Sequence, residues 1–117
     1  MNTLLRAASV VLFSFVLQAQ SFTGIASWYG IHEQGHKMAN GKPFDRFAFT
    51  AASRTLPLGT NILVTNLKTK QTVIVEVTDR GPWVKGRILD LSEKASKQID
   101  CSDLCKVQVT VIDKVLK

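Results

Sequence analysis

The chain has 117 residues, of which 45% are hydrophobic, 8% aromatic and 21% charged, and a formal net charge of +6 from 15 Lys+Arg against 9 Asp+Glu. This balance excludes a disordered tail, a collagen-like repeat and a polytopic membrane protein, and the length holds one domain without a second module. The positive surplus suits acidic polymers. Residues 1–19 stand apart from the rest. Arg6 precedes the apolar run Ala7 to Leu17, and Gln18-Ala19-Gln20 follows. The pattern predicts a signal peptide cut near Ala19, leaving 20–117 as an exported domain. The apolar run is shorter than the roughly 20 residues a spanning helix needs. No cysteine stands near the junction, so no membrane anchor is expected after removal.

Beyond Gln20, short β-branched runs recur. Gly24 to Tyr29, Asn61 to Asn66, Thr72 to Thr78 and Lys106 to Val111 read as strands, the last two by alternation of apolar and polar residues. The polar link from Asn66 to Gln71 predicts a hairpin. Ser92 to Ile99 reads as a helix, with Ser92 as N-cap and Glu93 suited to the first turn. Cys101 and Cys105 follow it. In an oxidising compartment they read as a disulfide that pins a local turn. The competing metal site would need more ligands than two cysteines supply, so no metal and no cofactor is expected. Many short strands with one short helix predict a mainly β fold, a small closed barrel that leaves no strand edge exposed.

Five local clusters look chemical. They are Gly24 to Gly30 (GIASWYG), Met38 to Asp45 (MANGKPFD), Thr50 to Gly59 (TAASRTLPLG), Val75 to Trp83 (VEVTDRGPW) and Gly86 to Ser92 (GRILDLS). Gly81-Pro82 forces a turn directly after a strand, which sets Asp79 and Arg80 at a barrel rim. In this order and spacing the clusters resemble the rare lipoprotein A family of septal-ring lytic transglycosylases, from about Thr23 to Val115. The resemblance implies a six-stranded double-psi β-barrel, shared more distantly with expansins, family-45 endoglucanases and barwin-like proteins. It also implies an exported enzyme that cleaves peptidoglycan glycan strands stripped of stem peptides, without hydrolysis, leaving 1,6-anhydro-muramoyl ends.

That reaction needs an acid for the glycosidic oxygen and a base for the sugar's own 6-hydroxyl, and one carboxylic acid can serve both in turn. The resemblance places the family's catalytic aspartate on Asp79. Its glutamate follows the Asn-Gly pair, where this chain has Lys42 after Asn40-Gly41, and its histidine follows Thr-Ala-Ala, where this chain has Ser53. Two further carboxylates come into view. Asp90 resembles the aspartate that serves expansins and family-45 endoglucanases, so it is a second catalytic candidate. Glu33, in the loop before Asn40, stands within reach if that loop swings inward. His32 and His36 read as exposed loop residues.

Trp28, Tyr29, Phe44 and Trp83 offer aromatic faces for sugar rings. For Trp28 core packing is the favoured reading over a glycan contact, and Trp83, after Gly81-Pro82, reads as exposed. Asn40, Lys42, Ser53 and Arg80 complete the candidate substrate-binding set, and Ser27 is a further donor to sugar hydroxyls. The expected partner is the glycan strand, and the expected form is a monomer in the periplasm, the cell envelope or outside the cell. A catalytically silent glycan-binding or wall-loosening module on the same barrel is the alternative, with a barwin-type inhibitor behind it. Nucleic acid is excluded by export and by the lack of a basic–aromatic motif.

Overall fold

The computed structural model describes residues 20–113, so the expected signal peptide lies outside the described residues. Six strands and one helix follow in chain order: β1 (Ser21–Tyr29), β2 (Thr50–Ala52), β3 (Asn61–Asn66), β4 (Thr72–Asp79), β5 (Arg87–Ser92), α1 (Glu93–Gln98) and β6 (Cys105–Asp113). The strands close into a barrel in the order β1-β5-β2-β4-β3-β6. The β1–β5 and β2–β4 pairs are parallel, and the others antiparallel. This is a closed, mixed, six-stranded double-psi β-barrel.

Alternation explains which face is dry. Ile62 and Val64 of β3, Val73, Val75 and Val77 of β4, Leu89 and Leu91 of β5, and Val107 and Val109 of β6 all point inward and are buried. Their polar neighbours in sequence point out. The sheet has no free edge along its closed circuit, so its backbone donors and acceptors are paired strand to strand.

The expected hairpin joins β3 to β4. Asn66 N–H donates to Gln71 O at 2.9 Å and Lys70 N–H to Asn66 O at 2.7 Å. Asn66 is itself buried, and its side chain ties the turn to the end of the helix: Nδ2 donates to Ile99 O at 2.8 Å while Oδ1 accepts from Lys68 N–H at 3.0 Å. Ser92 caps α1 as its sequence position predicts. Its Oγ accepts from Ala95 N–H at 3.3 Å and donates to Ala48 O at 2.6 Å. Cys101 and Cys105 form a disulfide that joins the exit of α1 to the start of β6.

Two strands were not legible as strands. β2 has three residues, too few for any period to show. β5 reads Arg-Ile-Leu-Asp-Leu-Ser, an apolar run whose single aspartate falls at the one outward position between Leu89 and Leu91.

Candidate functional site

The site is built on the register of four adjacent strands. Ser27 of β1 lies opposite Asp90 of β5, Asp90 opposite Ala52 of β2, and Ala52 opposite Asp79 of β4. Neighbouring strands are spaced about 4.8 Å apart, so the Cα atoms of Asp79 and Asp90 stand about 10 Å apart with one alanine between them. Ala52 fills little of that gap. Asp90 faces away from Leu89 and Leu91 and so away from the core. The carboxylates therefore open on a face of the barrel that the β1–β2 loop overhangs, which is more than the rim position expected from the turn after β4.

An open cleft of about 260 Å³ occupies this face. Its walls include Tyr29, Glu33, Ala52, Asp79, Arg80 and Asp90. His36, Lys37 and Phe44 border it from the loop. A larger groove of about 360 Å³ lies elsewhere, between Phe49, Leu63, Ile74 and Gln98, but no ionisable side chain lines it. It has no means of moving a proton.

Each carboxylate is held at one oxygen. Asp79 Oδ1 accepts from Ala39 N–H at 2.9 Å and from Arg80 N–H at 2.8 Å. Asp90 Oδ1 accepts from the Ser27 hydroxyl. The second oxygen of each has no hydrogen-bond partner among the described residues and neither side chain forms an ion pair there.

The arginines do other work. Arg80 Nη1 donates to Ser53 O at 3.0 Å and to Leu56 O at 2.6 Å. Arg54 reaches the opposite way, donating to Pro82 O at 2.7 Å and to Arg87 O. The turn after β2 and the loop after β4 are clamped together by reciprocal guanidinium–carbonyl bonds. That clamp fixes the backbone from which Asp79 projects.

Tyr29 forms the floor. Its ring stacks on Phe44 with centroids 4.2 Å apart, and its hydroxyl is buried without a protein partner among the described residues. Burial pushes the phenol well above its ordinary value of 10.0, helped by the negative charges of Asp79, Asp90 and Glu33. The hydroxyl is therefore a neutral donor across the working pH range.

The remaining candidates fall around this centre unequally. Ser53 is buried, and its Oγ accepts from Thr55 and Leu56 N–H at 3.3 and 3.1 Å, which caps the clamped turn. Asn40 Oδ1 accepts from Lys42 N–H at 2.9 Å in a tight turn whose next residue, Gly41, has a φ of +88° that disfavours any side chain. Lys42 itself is exposed and does not line the cleft. Trp28 is not in the core as expected: alternation along β1 leaves it exposed on the other face of the strand, where its Nε1 donates to Ser102 O at 3.0 Å beside the disulfide. Phe44 is 1% exposed, so it supports Tyr29 and presents no open face. Trp83 is 75% exposed. Trp83 does not line the cleft itself, but the space over Gly81 separates its indole from Asp90: a Cβ placed there would lie 3.5 Å from Trp83 Nε1 and 4.0 Å from Asp90 Oδ2.

Sequence reasoning missed the direct contribution of His36, Lys37 and Ala52, and it brought in Glu33 only through a loop movement that the structure does not require. The missing signal was modest: Glu33 and His36 are three apart in a turn that begins directly after Tyr29. Among the described residues, no group of three or more His, Cys, Asp or Glu is arranged to hold a metal ion. No helix among them is long and apolar enough to cross a membrane.

Residues 21–111 match the family model described as lytic transglycolase. The chain is 53% identical over 76 residues to the probable endolytic peptidoglycan transglycosylase RlpA of Synechocystis, covering 65% of this chain and 24% of that protein. It is 46% identical over 99 residues to the endolytic peptidoglycan transglycosylase RlpA of Campylobacter jejuni, covering 83% of this chain and 36% of that protein. Among solved structures, the apo expansin of Clavibacter michiganensis superposes with a TM-score of 0.64 at 23% identity, over 84% of this chain and 53% of that one. The match defines a lytic transglycosylase domain on a double-psi β-barrel. The chain belongs to the RlpA-like family, and it spans well under half the length of the two RlpA relatives described.

Proposed function

We propose that this protein is an exported lytic transglycosylase of the cell envelope. It cleaves peptidoglycan glycan strands that lack stem peptides and leaves 1,6-anhydro-muramoyl ends. The observation that carries this reading is the register of Asp79 and Asp90 about Ala52, with one free oxygen of each at a cleft floored by the Tyr29 hydroxyl. In its acid form, Asp79 gives its proton to the glycosidic oxygen as the C1–O bond breaks. The muramoyl 6-hydroxyl oxygen then closes on C1, and a carboxylate of the cleft takes its proton, so no water is consumed. Asp90 faces the positive charge that develops on the sugar ring. The Tyr29 hydroxyl donates to a sugar oxygen, and Trp83 stacks on a ring at the mouth.

A second reading is a glycan-binding or expansin-like wall-loosening module. Lys42 in place of the family's glutamate and Ser53 in place of its histidine favour it, because neither enters the cleft as an acid or a base. Incubation with denuded peptidoglycan strands, followed by mass spectrometry of the products, separates the two. The expected result is anhydro-ended fragments from the parent protein and at least a 100-fold slower release from Asp79→Asn. Intact strands that retain the protein would establish the binding module instead.

A further inference from the structure

The cleft has a third carboxylate, and neither the family motif nor the two-aspartate register accounts for it. Glu33 lines the same cavity as Asp79 and Asp90, but it comes from the β1–β2 loop and not from the barrel wall. We propose that Glu33 is a second proton-transfer residue, taking the proton of the sugar 6-hydroxyl while Asp79 serves the glycosidic oxygen. The inference rests on the transglycosylase reading above.

The position of Glu33 is built, not incidental. Its Oε1 accepts from Gly30 N–H at 2.8 Å, and its own N–H donates to Gly30 O at 3.0 Å. The turn it sits in is pinned downstream as well. His36 N–H donates to Glu33 O at 2.9 Å, Gly35 N–H to Phe44 O at 2.8 Å and Phe44 N–H to His36 O at 2.7 Å. Phe44 is in turn stacked on Tyr29. The loop is thus registered against the floor of the cleft, and the Glu33 carboxylate is half-buried there with one oxygen tied. Its other oxygen has no hydrogen-bond partner among the described residues. Its charge, with those of Asp79 and Asp90, adds to burial in raising the Tyr29 phenol, and all four residues line the one cleft.

A second carboxylate has a defined task. Two oxygens exchange protons with the protein, and although one acid can serve both in turn, two carboxylates let each transfer run at its own group. Lys42 stands outside the cleft, and the Ser53 hydroxyl is occupied in capping a turn. Glu33 lines the cleft from the β1–β2 loop, whereas the aspartates project from β4 and β5, so the carboxylates reach a bound sugar from separate elements. The step balances. The Asp79 proton goes to the departing oxygen, the C1–O bond breaks, the C1–O6 bond forms, and the O6 proton goes to Glu33. One proton has moved from Asp79 to Glu33, and it returns through solvent at the mouth, where His36 is exposed.

The test uses the purified chain and denuded peptidoglycan strands. Glu33→Gln keeps the acceptor for Gly30 N–H, so the turn stays in place. Expected are a 100-fold or greater loss in the rate of anhydro-end release, with strand affinity within threefold of the parent. Glu33→Ala should lose the same activity and recover at least tenfold on addition of formate, which enters the open cleft as a replacement carboxylate. Glu76→Gln, on the exposed face of β4, is the control and should match the parent. A Glu33→Gln rate within threefold of the parent would overturn the proposal and leave Asp79 as sole proton carrier. So would a loss of affinity as large as the loss of rate, or the absence of formate rescue, because either marks a structural role. If the parent itself releases no anhydro ends, the transglycosylase reading fails first and this inference falls with it.

Discussion

Replacing Tyr29 by phenylalanine removes a single oxygen, and the structure gives that change an unusual sign. The Tyr29 hydroxyl is buried and has no protein partner among the described residues, while the ring keeps its stacking on Phe44. A hydrogen bond that is made contributes about 0.5–1.5 kcal/mol net, whereas a buried polar group left unpaired costs about 1–3 kcal/mol. Tyr29→Phe loses none of the former and relieves part of the latter. The free protein should therefore be unchanged or more stable, by up to about 1 kcal/mol. For a domain of this size that corresponds to a rise in Tm of up to about 4–8 °C. The glycan-bound protein should show the reverse. A hydroxyl held for a sugar oxygen is missed when the sugar arrives, so affinity for denuded strands should fall about tenfold, the equivalent of about 1.4 kcal/mol. Urea unfolding with and without strands measures both. A loss of 1 kcal/mol or more in the free protein would refute the reasoning, since it would mean that the hydroxyl already makes a stabilising bond. Unchanged strand affinity would remove it from the binding machinery.

The same residue predicts an alkaline effect. A phenol whose pKa is raised by folding stabilises the native state below its unfolded value and loses that contribution as pH rises above it. Stability should therefore decline above about pH 10, and in Tyr29→Phe the decline should be shallower, as followed by urea midpoints across that range. Away from the cleft, Asn66→Ala removes a buried bond to Ile99 O and the acceptor that organises the β3–β4 turn. We expect it to lower stability by about 2–3 kcal/mol in denaturant unfolding while leaving strand affinity within twofold. A loss under 0.5 kcal/mol would show that this hub carries no weight.

Resemblance and residue chemistry agreed on Asp79, and the register explains why the surrounding Thr50-Ala51-Ala52 cluster matters: a small side chain at Ala52 leaves the space between two carboxylates open. Nothing in a three-residue strand announces such a role. Trp28 and Tyr29 illustrate the limit in another way. They are adjacent in sequence and equally aromatic, yet β alternation sends one toward the disulfide and the other toward the cleft. Ser53 and Arg80 carry polar groups that look available in sequence and are spent in the fold on backbone partners.

The hydrophobic alternation of β4 and β6, the hairpin at Asn66, the Ser92 cap and the Cys101–Cys105 pair are local properties, and the sequence by itself determined them. Each depends on residues within one strand, one turn or one short loop. The grouping of Asp79, Asp90, Glu33 and Tyr29 about one cleft was decided only by the tertiary structure. It depends on pairing between strands far apart in the chain and on a loop pinned through Phe44. Those interactions are set by closure of the barrel as a whole, because a register is fixed only when every strand has found both of its neighbours.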